Sequence, residues 1–360
     1  MISNDKKIIR VFEAFSGYGS QRLALKRLKK DYQKFKFKVV GISEIDKYAL
    51  AAYKRLHGDC PNYGNITQID WKKVPDFDLF TYSFPCQDIS IAGQKRGLEK
   101  NSNTNSSLLW WCEMAIKEKL PKYLVMENVS MLLSDRFIRY FEEWVKILNK
   151  YGYNSYTQIL NATDYGVPQN RERVFCVSIR NNEKFSFPKP IIAKKSLDSF
   201  FSGNTPLSYL KKFYVNDGWY KRFKRDNENV EKYLGKDLTE AFENGMVNTD
   251  TRRKRKKLYV GCDFANVNFF SSFSDSICPA ICTSHTHITK EDLGGGYFRV
   301  RKLTPQECFR LMGLEEIDIV KMNMSEVNGK RLSKTRLYKL AGNSIVVDVL
   351  YYLFREMFIK

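Results

Sequence analysis

Only three histidines occur among 360 residues, which leaves little room for a histidine-based mechanism. No apolar run approaches the ~20 residues needed to span a bilayer, so no membrane partner is expected. The opening stretch MISNDKKIIRVFEAF lacks the apolar core and cleavage site of a secretory signal, and a cytoplasmic protein is expected. Eight scattered cysteines do not make a disulfide framework and read as reduced thiols. Acidic side chains are in deficit: 60 Lys plus Arg stand against 40 Asp plus Glu, a formal charge of +20. Such an excess calls for a polyanionic partner, with nucleic acid ahead of an anionic membrane. There is no internal repeat. What the chain does have is length for about two domains and a core that needs neither disulfide nor metal.

From residue 8 to about 180, short apolar runs alternate with helical periods. Ile8–Phe15 reads as a buried strand ending in the turn Ser16-Gly17-Tyr18-Gly19-Ser20, and a basic helix follows. Then come strand Lys38–Ser43, helix Lys47–Leu56, strand Asp78–Ser83, helix Leu108–Lys119 and strand Tyr123–Met126. Phe137, Phe141, Trp144, Val145 and Leu148 fall on one face of the next helix, and strands near Asn154–Leu160 and Arg173–Ile179 close the series. Alternating strands and helices predict a doubly wound α/β sheet, whose ligands bind beyond the carboxyl ends of the strands. Residues 181–298 change character, with little periodicity and an unbroken basic run, Arg252–Lys257, and read as a separate irregular module. Order returns at Thr304-Pro305-Gln306-Glu307, a capping-box helix start, and Asn343–Phe358 reads as a helix returning to the first domain.

The chemically suggestive residues gather at the same sheet edge. The Gly17/Gly19 turn can bring backbone close to a ligand, although an ordinary tight turn has the same composition. Glu44 ends the second strand, where an acid can hold ribose hydroxyls. Cys86, in Phe84-Pro85-Cys86-Gln87 just past a strand, is a nucleophile candidate, whereas Cys60, Cys112, Cys176, Cys262 and Cys308 read as apolar filler. Glu127, directly after an apolar strand, should have a pKa raised by burial unless it only caps a helix. Alternation puts Arg171 and Arg173 on one side, where two guanidiniums can hold an anion or a base oxygen, surface ion pairing being the bland alternative.

Phe12–Ser20, Phe84-Pro85-Cys86-Gln87, Met126-Glu127-Asn128-Val129, Gln169–Arg173, Arg301–Gly313 and Ala341-Gly342-Asn343-Ser344 occur in an order that resembles the DNA cytosine-C5 methyltransferases of bacteria and phages. The resemblance implies a Rossmann-like α/β S-adenosylmethionine-dependent methyltransferase sheet, residues 1–189 and 313–360, with a second, smaller target-recognition domain at 190–312. It implies that Cys86 adds to C6 of a flipped-out cytosine in duplex DNA. Glu127 would then serve N3 and the exocyclic amine, and Arg173 with Arg171 would bind O2. The implied methyl donor is S-adenosylmethionine, with Phe15, Gly17 and Gly19 at its methionine part, Glu44 at its ribose and Ile45 and Ile66 at its adenine. Asn65 stands where an aspartate usually meets the adenine amine, Pro85 borders the pocket, and Asn343 and Ser344 close it. Ser90, Gln94, Lys95 and Arg96, in the loop after Cys86, would meet DNA, and Arg252, Arg253, Lys254 and Arg255 its phosphates.

Three departures stand out: Ser20 replaces a usual glycine, Asn65 the aspartate, and Ile45 an aromatic beside the ribose acid. None touches the methyl-transfer chemistry. A tRNA cytosine methyltransferase on the same fold is the nearest rival, but its variable region is much shorter than 181–298. A catalytically dead DNA-binding relative is the rival from another class, and intact Cys86, Glu127 and Arg173 speak against it. Cys278, Cys282, His285 and His287 look like zinc ligands in type but not in spacing, so no metal is expected. The enzyme is expected to act as a monomer, in a restriction-modification system with a companion endonuclease or as an orphan. The target sequence is not legible.

Overall fold

The computed structural model describes residues 8–89, 98–100, 102, 104–191, 197–201, 207–214, 240, 278–281, 288–292 and 298–359. Six strands form the central sheet: β1 (Ile9–Ala14), β2 (Phe37–Ser43), β3 (Leu79–Tyr82), β4 (Tyr123–Val129), β5 (Tyr153–Asn161) and, after the two-residue β6 (Gln169–Asn170), β7 (Glu172–Arg180). Their spatial order is β2-β1-β3-β4-β7-β5. The first four run parallel, and β7 lies antiparallel to both β4 and β5. Every strand expected from the sequence is present.

Strand alternation divides the apolar side chains between two cores. Val11, Leu79, Val125 and Val177 face one side, while Phe12, Phe80, Leu124, Met126 and Cys176 face the other. The second side is aromatic, with Trp71, Phe77, Tyr82, Trp110 and Trp144 packed together. On the first side lie α1 (Ser20–Asp31), α2 (Lys47–His57) and the C-terminal helix Val347–Phe358. That last helix packs against α1, burying Leu350, Leu353 and Phe354, each side chain contributing about 1.5–3 kcal/mol. Arg27 ties it down, donating to the Asp348 carboxylate at 3.0 Å and to the Gly313 carbonyl at 2.7 Å. The C-terminal segment therefore returns to the first sheet.

Two boundaries differ from the sequence reading by three residues or more, and both matter for the site. The fourth strand runs on through Glu127-Asn128-Val129, because β7 supplies antiparallel partners as far as Val129 opposite Arg173. The final helix starts at Val347, not Asn343, and Asn343 and Ser344 sit in the bend before it. The helix Pro305–Leu311 carries the expected capping box, Thr304 Oγ1 accepting from Glu307 N while the Glu307 carboxylate accepts from Thr304 N. Leu303, Cys308, Phe309 and Leu311 pack into the same core as Val11 and Phe175, so the chain has rejoined that core before Gly313. Within 190–312 the described residues hold only short pieces, among them Leu207–Leu210, β8 (Cys278–Pro279) and a hairpin of Ile288–Asp292 with Phe298–Lys302.

Candidate active site

The turn after β1 has three residues in the left-handed region: Phe15 at φ 54°, Gly17 at 56° and Gly19 at 82°. For glycine this is free, but for Phe15 it costs roughly 1–2 kcal/mol. Glu44, at the end of neighbouring β2, holds the turn. Its Oε2 accepts from Gly17 N at 2.9 Å, and its Oε1 accepts from Ile45 N and Asp46 N at 2.8 and 2.7 Å. An ionised carboxylate has about four lone-pair sites, so acceptor capacity remains for a ligand hydroxyl. Gly19 looks elsewhere: a Cβ there would lie 2.5 Å from His57 Nε2, so glycine permits close packing against α2. His57 is half-buried, its Nε2 donates to the Tyr18 carbonyl at 3.0 Å, and desolvation pushes its pKa down to about 2.

Phe84-Pro85-Cys86 leaves the end of β3, and two side chains from other segments grip it. Asn128 Nδ2 donates to the Phe84 carbonyl at 3.0 Å, and Ser106 Oγ donates to the Pro85 carbonyl at 2.7 Å. The two residues before Cys86 are thus anchored from β4 on one side and from the start of the next helical segment on the other. The thiol is half-buried. Burial, the larger influence, raises its pKa; Arg173 opposes this, Glu127 adds to it, and Arg171 opposes it again.

Glu127 and Arg173 meet because of sheet register. Arg173 lies opposite Val129, and Glu127 shares the face of Val129 two residues earlier, so the pair are diagonal neighbours. Arg173 Nε is 3.3 Å from Glu127 Oε1, both side chains being largely buried. Burial raises the Glu127 pKa, as the sequence predicted, while Arg173, Arg171 and the Ser83 hydroxyl pull it back. Arg173 Nη1 donates to the Glu172 carbonyl at 2.7 Å, and Nη2 has no partner among the described residues. Arg171 has a different setting from its neighbour: it is buried, and its terminal nitrogens donate to the main-chain carbonyls of Ile281, Gly342 and Ser344.

Most of these groups line one cavity of about 290 Å³. Phe15, Gly17, Glu44, Ile45, Asn65 and Ile66 form one end, Pro85, Cys86, Glu127 and both arginines the other, and Asn343 and Ser344 close a side. Among the described residues nothing lies within 4 Å of where a Gly17 Cβ would be, and Ile45 stands 72% exposed at the rim. A family profile described as C-5 cytosine-specific DNA methylase matches residues 9–359, nearly the whole chain that builds this cavity. The chain belongs to that family. It is similar to the type II methyltransferase M2.ScrFI of Lactococcus lactis subsp. cremoris, at 34% identity over 98% of this chain and 99% of the relative. Similarity to the type II methyltransferase M.HhaI of Haemophilus parahaemolyticus is 30% over 97% of this chain and 94% of the other. Among solved structures, the S. pombe Dnmt2 methyltransferase shares the fold, with a TM-score of 0.64 at 18% identity over 97% of both chains.

In this DNA cytosine methylase, every expected cofactor residue except Gly19 borders the cavity. Asn65 does so with its side-chain oxygen already accepting from Thr67 N at 3.1 Å, which caps a short helical turn. Ser90, Gln94, Lys95, Arg96 and Arg252, Arg253, Lys254 and Arg255 lie outside the described residues, as do Cys282, His285 and His287. Among the described residues no helix is long and apolar enough to cross a membrane. Sequence reasoning missed Ser106 as an anchor, since a serine before a helix carries no signal of a partner 21 residues earlier. It also missed the ion pair of Lys339 with Asp46 at 3.3 Å, which joins the C-terminal segment to α2 beside the cavity.

Proposed function

We propose that this methylase carries out its reaction with Cys86, Glu127 and Arg173 at the cytosine and with S-adenosylmethionine as methyl donor. The observation that carries the reading is the single cavity shared by the Cys86 thiol, the Glu127–Arg173 pair and the Phe15–Gly17/Glu44 end. The donor set suits S-adenosylmethionine: a carboxylate for vicinal hydroxyls, open space beside Gly17, and the apolar Ile45 and Ile66 for a purine. When bound, that molecule supplies an electrophilic methyl group.

The rest follows from side chains of this chain. Cytosine C5 is not nucleophilic until a group adds at C6. Cys86 Sγ, as thiolate, forms that bond, and the displaced electron pair makes C5 the nucleophile. Glu127, held towards the protonated form by burial, donates to N3 and so lowers the barrier to addition. Arg173, already beside Glu127, balances charge at O2 and favours the thiolate. After C5 has taken the methyl group, loss of its proton to a base expels Cys86 and restores the ring. A cytosine inside duplex DNA cannot reach this cavity, so the base is flipped out. The recognition module is drawn at 190–312 and the catalytic unit at 1–189 and 313–360; the basic run at 252–257 and the +20 charge fit a phosphate-binding role. Action as a monomer on double-stranded DNA in the cytoplasm, with or without a companion endonuclease, completes the proposal.

Bisulfite sequencing of DNA from cells that lack cytosine methylation and express this chain tests it. A fixed sequence context with 5-methylcytosine is expected from the native chain and none from Cys86→Ser, whose hydroxyl is far less ionised. Trapping on 5-fluorocytosine DNA should vanish in the same variant. Robust methylation by Cys86→Ser would overturn the nucleophile assignment.

A further inference from the structure

Arg171 is buried, and its hydrogen bonds join a segment of 190–312 to a segment of 313–360. Nη1 donates to the carbonyl of Ile281 at 2.5 Å, a residue of 190–312 that is buried in the same core as Val11 and Phe175. Nη2 donates to the carbonyls of Gly342 and Ser344 at 2.9 and 2.6 Å, in the bend that closes the cavity. Gln169 completes the grip on the same residue: its Oε1 accepts from Ile281 N at 2.9 Å, while its Nε2 donates to the Leu311 carbonyl at 2.6 Å. Both main-chain polar groups of Ile281 are therefore held by side chains of Gln169-Asn170-Arg171, and β8 pairs in register with β6 immediately before it. On the far side of the bend, Ser344 Oγ lies 2.5 Å from Ser20 Oγ, at the first residue of α1. The contact is buried, and a glycine at position 20 would remove it.

We infer that Arg171 is a positioning residue that couples the DNA-recognition module to the cofactor pocket, with Ser20 as the pocket-side end of the link. The physical reason is geometric. A planar guanidinium that donates to carbonyls from two segments fixes their relative position, and a shift of Ile281 strains the same group that holds Gly342 and Ser344. Ordering of the bend by cofactor then favours the Ile281 position used for DNA, and the reverse holds by linkage. Lysine at this position keeps the charge near Cys86 and Glu127 but cannot reach three carbonyls with a planar fork.

This inference rests on the cofactor and DNA roles proposed above. The test measures the Kd for a duplex oligonucleotide carrying the bisulfite-identified site, with and without saturating S-adenosylhomocysteine, using the full chain. The native protein is expected to bind DNA at least about 5-fold tighter with S-adenosylhomocysteine. For Arg171→Lys the factor should fall below about 2-fold, and for Ser20→Gly it should fall part-way. A structural role alone would weaken both Kd values together and leave their ratio intact. A native-sized factor in Arg171→Lys, or none in the native protein, overturns the inference; if Arg171→Lys does not fold, an unchanged factor in Ser20→Gly overturns it. Failure of the native protein to bind S-adenosylhomocysteine at all would instead overturn the proposed function.

Discussion

Arg173→Gln isolates the electrostatics of the site. Arg173 Nε lies 3.3 Å from Glu127 Oε1 with the side chains only 19% and 9% exposed. Unit charges about 4 Å apart at an effective dielectric near 20 attract by about 4 kcal/mol. Partial exposure of the arginine reduces what is lost on its removal to about 2–3 kcal/mol, since a buried carboxylate is left without its partner. The pH dependence gives the sign. Burial raises the Glu127 pKa above 4.5 even with Arg173 present. Its contribution to stability is therefore fully present below 4.5 and is lost as pH rises through the raised value of the folded state. Removing Arg173, the largest opposing influence, pushes that value further up. Urea unfolding should show a loss that grows at alkaline pH and shrinks as pH falls towards the ordinary glutamate value. In a Glu127→Gln background the same arginine change should cost little at either pH. Arg173 is also the leading influence that lowers the Cys86 pKa. Alkylation of Cys86, followed by peptide mass spectrometry, should therefore slow in Arg173→Gln. An equal loss with and without the Glu127 carboxylate, or a pH-independent one, would refute the reasoning.

Asn128→Ala frees the buried Phe84 carbonyl and should lower kcat about 10-fold with the KM for S-adenosylmethionine little changed, as steady-state methylation would report. Ser106→Ala should behave alike through the Pro85 carbonyl. Gly19→Ala, with its Cβ 2.5 Å from His57 Nε2, should destabilise by more than about 1 kcal/mol in urea unfolding. Gly17→Ala, where that space is open, should cost stability only through its φ of 56° while weakening S-adenosylhomocysteine binding in calorimetry. Replacing Arg252, Arg253, Lys254 and Arg255 by Gln should flatten the salt dependence of DNA binding by about 0.9 in log–log slope for each phosphate no longer neutralised, without changing the methylated sequence. An unchanged slope would mean that these side chains do not touch phosphate.

The sequence by itself determined the order of strands and helices, because apolar alternation and helical periodicity are local properties of the chain. It also determined which residue types stand at the carboxyl ends of β1, β2, β3 and β4, and so Gly17, Glu44, Cys86 and Glu127 were legible before any coordinates. Tertiary structure decided how they meet. The extension of β4 to Val129 exists only because β7 runs antiparallel beside it, and that register is what sets Arg173 against Glu127. Arg171 and Arg173 look equivalent in sequence, two residues apart, yet one holds carbonyls from the other end of the chain and the other faces a carboxylate. Gly19 and Gly17 look equivalent too, and packing of His57 separates them. The Ser106 and Asn128 anchors and the Ser20–Ser344 contact join residues 21, 44 and 324 positions apart. No local pattern encodes such pairs, since their partners are chosen by the folding of the sheet.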